Sequence, residues 1–128
     1  MKKVLFVCVE NACRSQMAKG FFNSITENSM ADSAGIQPVE KVDPIAVRVM
    51  KEKDIDISGF VPKILTFYMN NKFDFIVTMG CVDSCPITPK NKTIEWEIID
   101  PKGKTIQQYR KIRDQIEKHV LKLIREAI

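Results

Sequence analysis

The sequence predicts an α/β fold in which helices cover both faces of a parallel β-sheet. A continuous apolar run within residues 2–9 is typical of a strand that is buried on both sides, and residues 73–79 predict a second strong strand. Apolar residues at helical spacing separate and follow these runs, and strands that alternate with helices form parallel sheets with right-handed crossovers. The chain has 128 residues and a hydrophobic content of 45%, which is ordinary for one folded domain. We therefore expect residues 1–128 to form a single domain.

The individual elements follow from local spacing and turn residues. Met17, Phe21 and Phe22 recur at helical spacing after the first strand. Asp43 is a suitable N-cap, and Pro44 suits the first position of a helix. In chain order, the expected elements are a strand over 2–9, a helix from Arg14 to about Asn28, a strand over 30–35, a helix from Pro44 to about Lys53, a helix from Pro62 to about Asn70, a strand over 73–79, a strand over 93–98 and a long final helix that includes Ile106 and Leu123.

Composition limits the class of protein. The net charge of +4 favours anionic ligands only weakly and does not indicate a nucleic-acid partner. No apolar run approaches the ~20 residues of a membrane helix, and the apolar run near the amino end lacks a small-residue cleavage site, so we expect a cytoplasmic chain without a membrane partner. The four cysteines of such a chain more often serve catalysis or metal binding than a disulfide framework.

Residues 8–15, which follow the first strand, have the composition of an anion-binding loop. Active sites of parallel sheets lie at the carboxyl ends of strands. There Cys8 ends a strand, Arg14 follows six positions later and Ser15 begins a helix. We expect the loop to lower the pKa of Cys8 and Ser15 to donate a hydrogen bond to its sulfur. Asn11 tolerates a left-handed backbone better than other non-glycine residues, and its amide is suited to brace the loop. The residues expected to hold an oxyanion with backbone N–H groups and the guanidinium fork are Val9, Glu10, Asn11, Ala12, Cys13 and Arg14.

This loop resembles the phosphate-binding loop of the low-molecular-weight protein tyrosine phosphatases. Other segments resemble the branch of that superfamily formed by the thioredoxin-coupled arsenate reductases, and the resemblance spans essentially the whole chain. It implies a single four-stranded parallel sheet flanked by helices. The segments that carry it are Gln16-Met17-Ala18, Ser33-Ala34-Gly35, Asp56-Ile57-Ser58, Cys85-Pro86, Asp100-Pro101 and Arg113-Asp114.

Cys81 and Cys85 distinguish the two branches, since the phosphatases have no use for such a pair. The resemblance implies that Cys8 attacks arsenate and that Asp100 protonates the leaving oxygen. It further implies that Cys81 attacks the arsenic adduct of Cys8, that Cys85 then forms a disulfide with Cys81, and that thioredoxin reduces this disulfide. No cofactor or metal is implied. We expect a monomer that acts on arsenate, with phosphate as a competitor.

Other interpretations stay open. A phosphatase that hydrolyses phosphotyrosine or small phosphoesters would use Cys8, Arg14 and Asp100 in the same way, because phosphate and arsenate have similar shapes. A cysteine-rich module that binds zinc or nucleic acid is a further alternative, although the chain lacks four well-spaced ligands and a basic stripe. The reductant could also be a glutaredoxin, another thioredoxin-like protein or a small thiol.

Several residues carry separate expectations. Glu10 stands where many family members have glycine, and we expect its carboxylate to point outward near the entrance of the site. Lys19 stands where some reductases have a potassium-binding glutamate, and its ammonium is expected to replace that cation beside Asn11 and Ser33. Cys13 is interpreted as a packing residue, with a protective disulfide to Cys8 under oxidation as the alternative. The basic residues of the final helix are expected to form a solvated face: Lys111, Arg113, Lys118, Lys122 and Arg125. His119 is expected to be solvated or half-buried.

Overall fold

The computed structural model describes residues 1–66, 69, 71–80 and 88–128, and it contains a four-stranded parallel sheet with strand order β2-β1-β3-β4. This confirms the predicted fold class. The elements are β1 (Lys3–Cys8), α1 (Arg14–Ile25), β2 (Met30–Gly35), α2 (Pro44–Lys51), β3 (Phe75–Met79), a short 3₁₀ turn (Lys90–Lys92), β4 (Thr93–Trp96) and α3 (Ile106–Ala127).

The central strand β1 has both of its faces buried, as its continuous apolar sequence predicts. Side chains such as Phe6 pack with residues of α1, α2 and α3 in the larger core cluster. On the opposite face, Leu5 and Val7 pack with a smaller cluster that includes Leu65 and Ile76. Alternation of side chains along the strand sends successive residues into these two clusters. The two clusters hold the loop that follows Cys8 in a fixed position at the carboxyl edge of the sheet.

The helix predicted from Pro62 is wrong in its first residues. Residues 62–66 are not helical, and Ile64 instead forms a parallel bridge with Gly35. Backbone hydrogen bonds run from Gly35 to the Lys63 carbonyl, at 2.9 Å, and from Leu65 to the Gly35 carbonyl, at 2.8 Å. The segment therefore extends the edge of β2, because this pairing satisfies its backbone groups where a lone helical turn would not.

Helix ends differ from the predicted ones for local reasons. α1 ends at Ile25, because Thr26 adopts an extended conformation while its N–H still bonds to the Phe22 carbonyl. Asp43 caps α2 as predicted, with its carboxylate accepting a hydrogen bond from the Ile45 N–H at 2.8 Å.

No helix in the described part of the chain is long and apolar enough to span a membrane.

Arg113 corrects the expectation of a uniformly solvated basic face on α3. Its side chain is buried, and it donates to the Val49 carbonyl at 2.9 Å and to the Glu52 carboxylate at 2.6 Å. Arg113 therefore ties α3 to the end of α2. His119 is half-buried as predicted, with its ring 5.0 Å from that of Trp96.

Candidate active site

Cys8 lies at the carboxyl end of β1, where its sulfur is almost completely buried. The sulfur is 2.9 Å from the Ser15 hydroxyl oxygen, and Cys8 is 2% exposed. The Asn11 side-chain amide donates to the same Ser15 oxygen at 2.7 Å. A Cys8 thiolate has no hydrogen to donate, so toward the thiolate the Ser15 hydroxyl is the donor while its oxygen accepts from Asn11. Ser15 is thereby oriented to stabilise a thiolate at Cys8.

Asn11 holds a left-handed conformation, with φ of 54°. Two further groups bond to Asn11, and a third holds one of these two in place. The Gln16 amide donates to its carbonyl at 2.9 Å, and the Lys63 N–H donates to its side-chain oxygen at 2.9 Å. Gln16 is in turn held by the Ser33 hydroxyl at 2.8 Å. The loop conformation thus depends on fully or almost fully buried polar side chains from α1 and β2.

Gly35 allows the loop to approach β2 closely. A Cβ at this position would lie 2.7 Å from the Val9 carbonyl oxygen and 2.8 Å from the Asn11 Cβ. Both contacts involve rigid parts of the loop, so any larger residue would displace it. The glycine of the Ser33-Ala34-Gly35 segment is therefore required by packing.

Arg14 connects the carboxyl ends of three chain segments. Its Nη1 donates to the Met79 carbonyl at 2.9 Å and to the Ile98 carbonyl at 3.0 Å. Its Nη2 lies 3.8 Å from the Asp100 carboxylate. Gly80 makes room for the guanidinium, because a Cβ there would lie 2.4 Å from Nη1. With Nη1 held by two carbonyls, Nη2 remains on the side of Asp100.

Asp100 is positioned by a tight turn that also carries Lys102. One carboxylate oxygen of Asp100 accepts from the Lys102 N–H at 3.0 Å, and Lys104 N–H bonds to the Pro101 carbonyl at 2.9 Å. Gly103 in this turn has φ of 80°, a conformation that favours glycine. The Asp100 side chain is 42% exposed, so it can exchange protons with solvent while facing the cavity above Cys8.

Above Cys8 lies a cavity of about 10 Å³, which is room for about one water molecule. Of the loop residues predicted to hold an oxyanion, Asn11 is fully buried and Val9 packs on the smaller core cluster. The described residues that line the cavity are Cys8, Glu10, Ala12, Cys13, Arg14, Asp43, Asp100 and Lys102.

Glu10 lies at the entrance as expected, but its carboxylate is not free. Both of its oxygens accept from the Lys102 ammonium, at 3.0 and 2.8 Å. This hydrogen bond, followed by the charge of Glu10, raises the pKa of Lys102. The acidic side chain in the loop is thus neutralised by a lysine from the Asp100 turn.

Cys13 has the environment of a packing residue. Burial, followed by the charge of Asp43, raises the pKa of its thiol well above the ordinary value. Asp43 also accepts a hydrogen bond from the Tyr109 hydroxyl at 2.6 Å. Burial and that bond raise the pKa of Tyr109. Cys13 therefore remains a neutral thiol beside Cys8 at neutral pH.

Lys19 is directed away from the groups that it was expected to bind. Its ammonium lies 3.5 Å from the Asp32 carboxylate and 4.1 Å above the Phe60 ring. Asn11 and Ser33 bond to other groups, as described above. Lys63 also pairs with Asp32, so the two lysines share one carboxylate.

Two residues of the site, Gln16 and Lys102, have no role in the sequence prediction. Gln16 is one of three buried polar residues in the first turn of α1, and its position directly after Arg14 and Ser15 is the signal that points to a role in the site. Lys102 follows the predicted acid by two positions, which places it near the site.

Cys81 and Cys85 lie outside the described residues. In the ranges that the structure describes, no three His, Cys, Asp or Glu side chains form a metal-binding group.

The structure brings Cys8, Arg14, Ser15 and Asp100 together at one edge of the sheet, and their catalytic roles stay predictions. A cysteine beneath an anion-binding loop, with an arginine and an aspartate beside it, has the form of a cysteine-dependent phosphatase site. The chain belongs to the low molecular weight phosphotyrosine protein phosphatase family, whose model matches residues 3–128.

Relatives within this family include proteins named for arsenate reduction. An arsenate reductase of Staphylococcus aureus is 39% identical over 121 residues, which cover 91% of each chain. A glutaredoxin arsenate reductase of Synechocystis is 34% identical over 128 residues and 97% of each chain. A solved structure of an arsenate reductase in the phosphate-binding state is 32% identical, covers 100% of both chains and has a TM-score of 0.90.

Proposed function

We propose that this protein reduces arsenate to arsenite in the cytoplasm, as a monomer, with electrons from a thioredoxin. The observation that carries the proposal is the buried Cys8 sulfur, 2.9 Å from Ser15, at the bottom of a cavity that Arg14 and Asp100 also line. Relatives that are named arsenate reductases and cover most of the chain support the choice of substrate.

In the first step, the Cys8 thiolate attacks the arsenic of bound arsenate. Backbone N–H groups of the loop and the Arg14 guanidinium stabilise the charge on the oxyanion. A new sulfur–arsenic bond forms while an arsenic–oxygen bond breaks, and Asp100 gives its proton so that the leaving oxygen departs as water. Ser15 stabilises the thiolate before the attack.

In the second step, the Cys81 thiolate attacks the Cys8 sulfur. A Cys8–Cys81 disulfide forms, and the electron pair of the broken sulfur–arsenic bond stays on arsenic, which leaves as arsenite. The Cys85 thiolate then attacks Cys81 and releases Cys8 as a thiolate. An external dithiol supplies two electrons to reduce the Cys81–Cys85 disulfide, and this closes the cycle.

The test is arsenate-dependent NADPH oxidation with thioredoxin and its reductase. Cys8→Ser should abolish turnover, and Cys81→Ser should end reduction. Cys85→Ser should stop after about one cycle, with a Cys8–Cys81 disulfide that peptide mass mapping detects. Cys13→Ser is the matched control, because a neutral packing thiol should be dispensable for turnover. Wild-type reduction rates in the Cys81→Ser variant would contradict the relay.

The same assay identifies the reductant when it is run with different reducing systems. Glutaredoxin with glutathione replaces thioredoxin in one arm, since one relative is named a glutaredoxin arsenate reductase. A rate at least about tenfold higher with thioredoxin is expected if the Cys81–Cys85 disulfide is the species reduced. A higher rate with glutaredoxin would assign the chain to the other kind of coupling.

Phosphoester hydrolysis is the second candidate function. The same loop, Arg14 and Asp100 suit phosphate as well as arsenate, and the family is that of phosphotyrosine phosphatases. Hydrolysis of para-nitrophenyl phosphate without any reductant measures this activity directly. A phosphatase would show efficient hydrolysis that depends on Cys8 and not on Cys81 or Cys85.

A further inference from the structure

Two ionic contacts join the anion-binding loop to the turn that carries Asp100. Arg14 lies 3.8 Å from Asp100, and Glu10 binds the Lys102 ammonium with both carboxylate oxygens. The first contact lies beside the predicted reacting groups. The second joins the rim of the loop to the rim of the turn, and both of its residues line the cavity above Cys8.

The direction of the reaction makes this second contact important. Attack by Cys8 expels the group that lies opposite the sulfur, which is the group that Asp100 protonates. With inorganic arsenate this group is a single oxygen. With a phosphoester it is an oxygen that carries a substituent, and the substituent must extend outward past Asp100. Lys102 belongs to the same turn as Asp100 and both line the cavity, so the Glu10–Lys102 pair lies on the side of Asp100.

The available space agrees with this restriction. The cavity of about 10 Å³ holds about one water molecule, so even a free oxyanion requires some movement of the rim. An ester substituent would require the ion pair to stay broken throughout the reaction. A free oxyanion allows the pair to form again above it.

We propose that the Glu10–Lys102 ion pair is a specificity-determining gate that favours inorganic oxyanions over phosphoesters at the Cys8 site. The gate rests on the proposed function, because it explains how a phosphatase-like site selects free arsenate. It also accounts for an acidic residue in an anion-binding loop: Glu10 serves as the partner of Lys102, and the pair adds no net charge to the rim.

The test compares kcat/KM for arsenate reduction with kcat/KM for para-nitrophenyl phosphate hydrolysis. The double variant Glu10→Ala with Lys102→Ala removes the gate without changing the net charge of the rim. Its ester hydrolysis should rise about tenfold or more, and the ratio of ester hydrolysis to arsenate reduction should rise with it. The swapped variant Glu10→Lys with Lys102→Glu restores the ion pair and should return ester hydrolysis toward the wild-type value.

The control is Lys53→Ala with Glu117→Ala, which removes another surface ion pair, 3.3 Å long, between the turn after α2 and helix α3. It should leave both activities unchanged. Unchanged or lower ester hydrolysis in the Glu10 and Lys102 double variant would overturn the gate. So would a rise in KM for both substrates, since Lys102 would then be a direct ligand of the anion. Ester hydrolysis needs no reductant, so it decides the gate even if the wild-type protein fails to reduce arsenate, which would refute only the proposed function.

Discussion

The Ser15 hydroxyl lies 2.9 Å from the Cys8 sulfur, and both side chains are almost fully buried. Asn11 donates to the same hydroxyl oxygen, and since a Cys8 thiolate can only accept, Ser15 is the donor to the thiolate. A buried thiolate without this donor would lose a charge-assisted hydrogen bond. The pair therefore links the fold of the loop to the reactivity of Cys8.

Replacing Ser15 with alanine should lower kcat/KM for arsenate about 10- to 100-fold, since a hydrogen bond to a charged group contributes about 1.5–3 kcal/mol. The rate of Cys8 alkylation by iodoacetamide at pH 7 should fall as well. Ser24→Ala is the control, because Ser24 lies on the same helix and its hydroxyl donates to the Phe21 carbonyl of that helix. Equal alkylation rates in wild type and Ser15→Ala would refute this role.

Gln16 should matter through the conformation of Asn11. Gln16→Glu keeps the size of the side chain but loses the donor to the Asn11 carbonyl, while Ser33 still has an acceptor. The free energy of unfolding, measured with urea, should fall by about 1–3 kcal/mol, because a buried acceptor is left unpaired. The kcat for arsenate reduction should fall as well. The exposed residue Gln107 provides the control variant Gln107→Glu. Full activity in Gln16→Glu would show that Asn11 keeps its conformation unaided.

Alanine variants of Gly80 and Gly103 distinguish the effect of a steric clash with Arg14 from the effect of backbone strain. Both have positive φ, of 72° and 80°. A Cβ at Gly80 would lie 2.4 Å from the Arg14 Nη1, whereas a Cβ at Gly103 would have no heavy atom within 4 Å. Gly80→Ala should therefore raise the KM for arsenate about tenfold or more by displacing Arg14. Gly103→Ala, which carries the strain alone, should raise it less. Similar KM values in the two variants would contradict the steric explanation.

Local sequence was a good guide where the interacting groups are close along the chain. Residues 8–15 form a contiguous loop, so their order alone indicated an anion-binding conformation and a residue, Asn11, that tolerates a left-handed backbone. The segment from Pro62 was misjudged because its bridge partner, Gly35, is distant in sequence. Arg113 was misjudged for a similar reason, since its partners Val49 and Glu52 belong to another helix. Pairings between distant segments leave no periodic pattern in the chain.

The dependence of the Tm on pH under acidic conditions should involve Glu52. Hydrogen bonds from Arg110, and then from Arg113, lower the pKa of Glu52 to about 2 from the ordinary 4.5. A carboxylate with a depressed pKa in the folded state contributes stability that is complete above its unfolded pKa and is lost as the pH falls through its folded pKa. Glu52→Gln should therefore lower the Tm most above about pH 4.5, and the difference from wild type should shrink toward pH 2. Differential scanning calorimetry between pH 2 and pH 8 measures this, with Glu117→Gln as the control for loss of a helix carboxylate. A Tm difference for Glu52→Gln that stays constant over this range would show that the two arginines do not bind the ionised form preferentially.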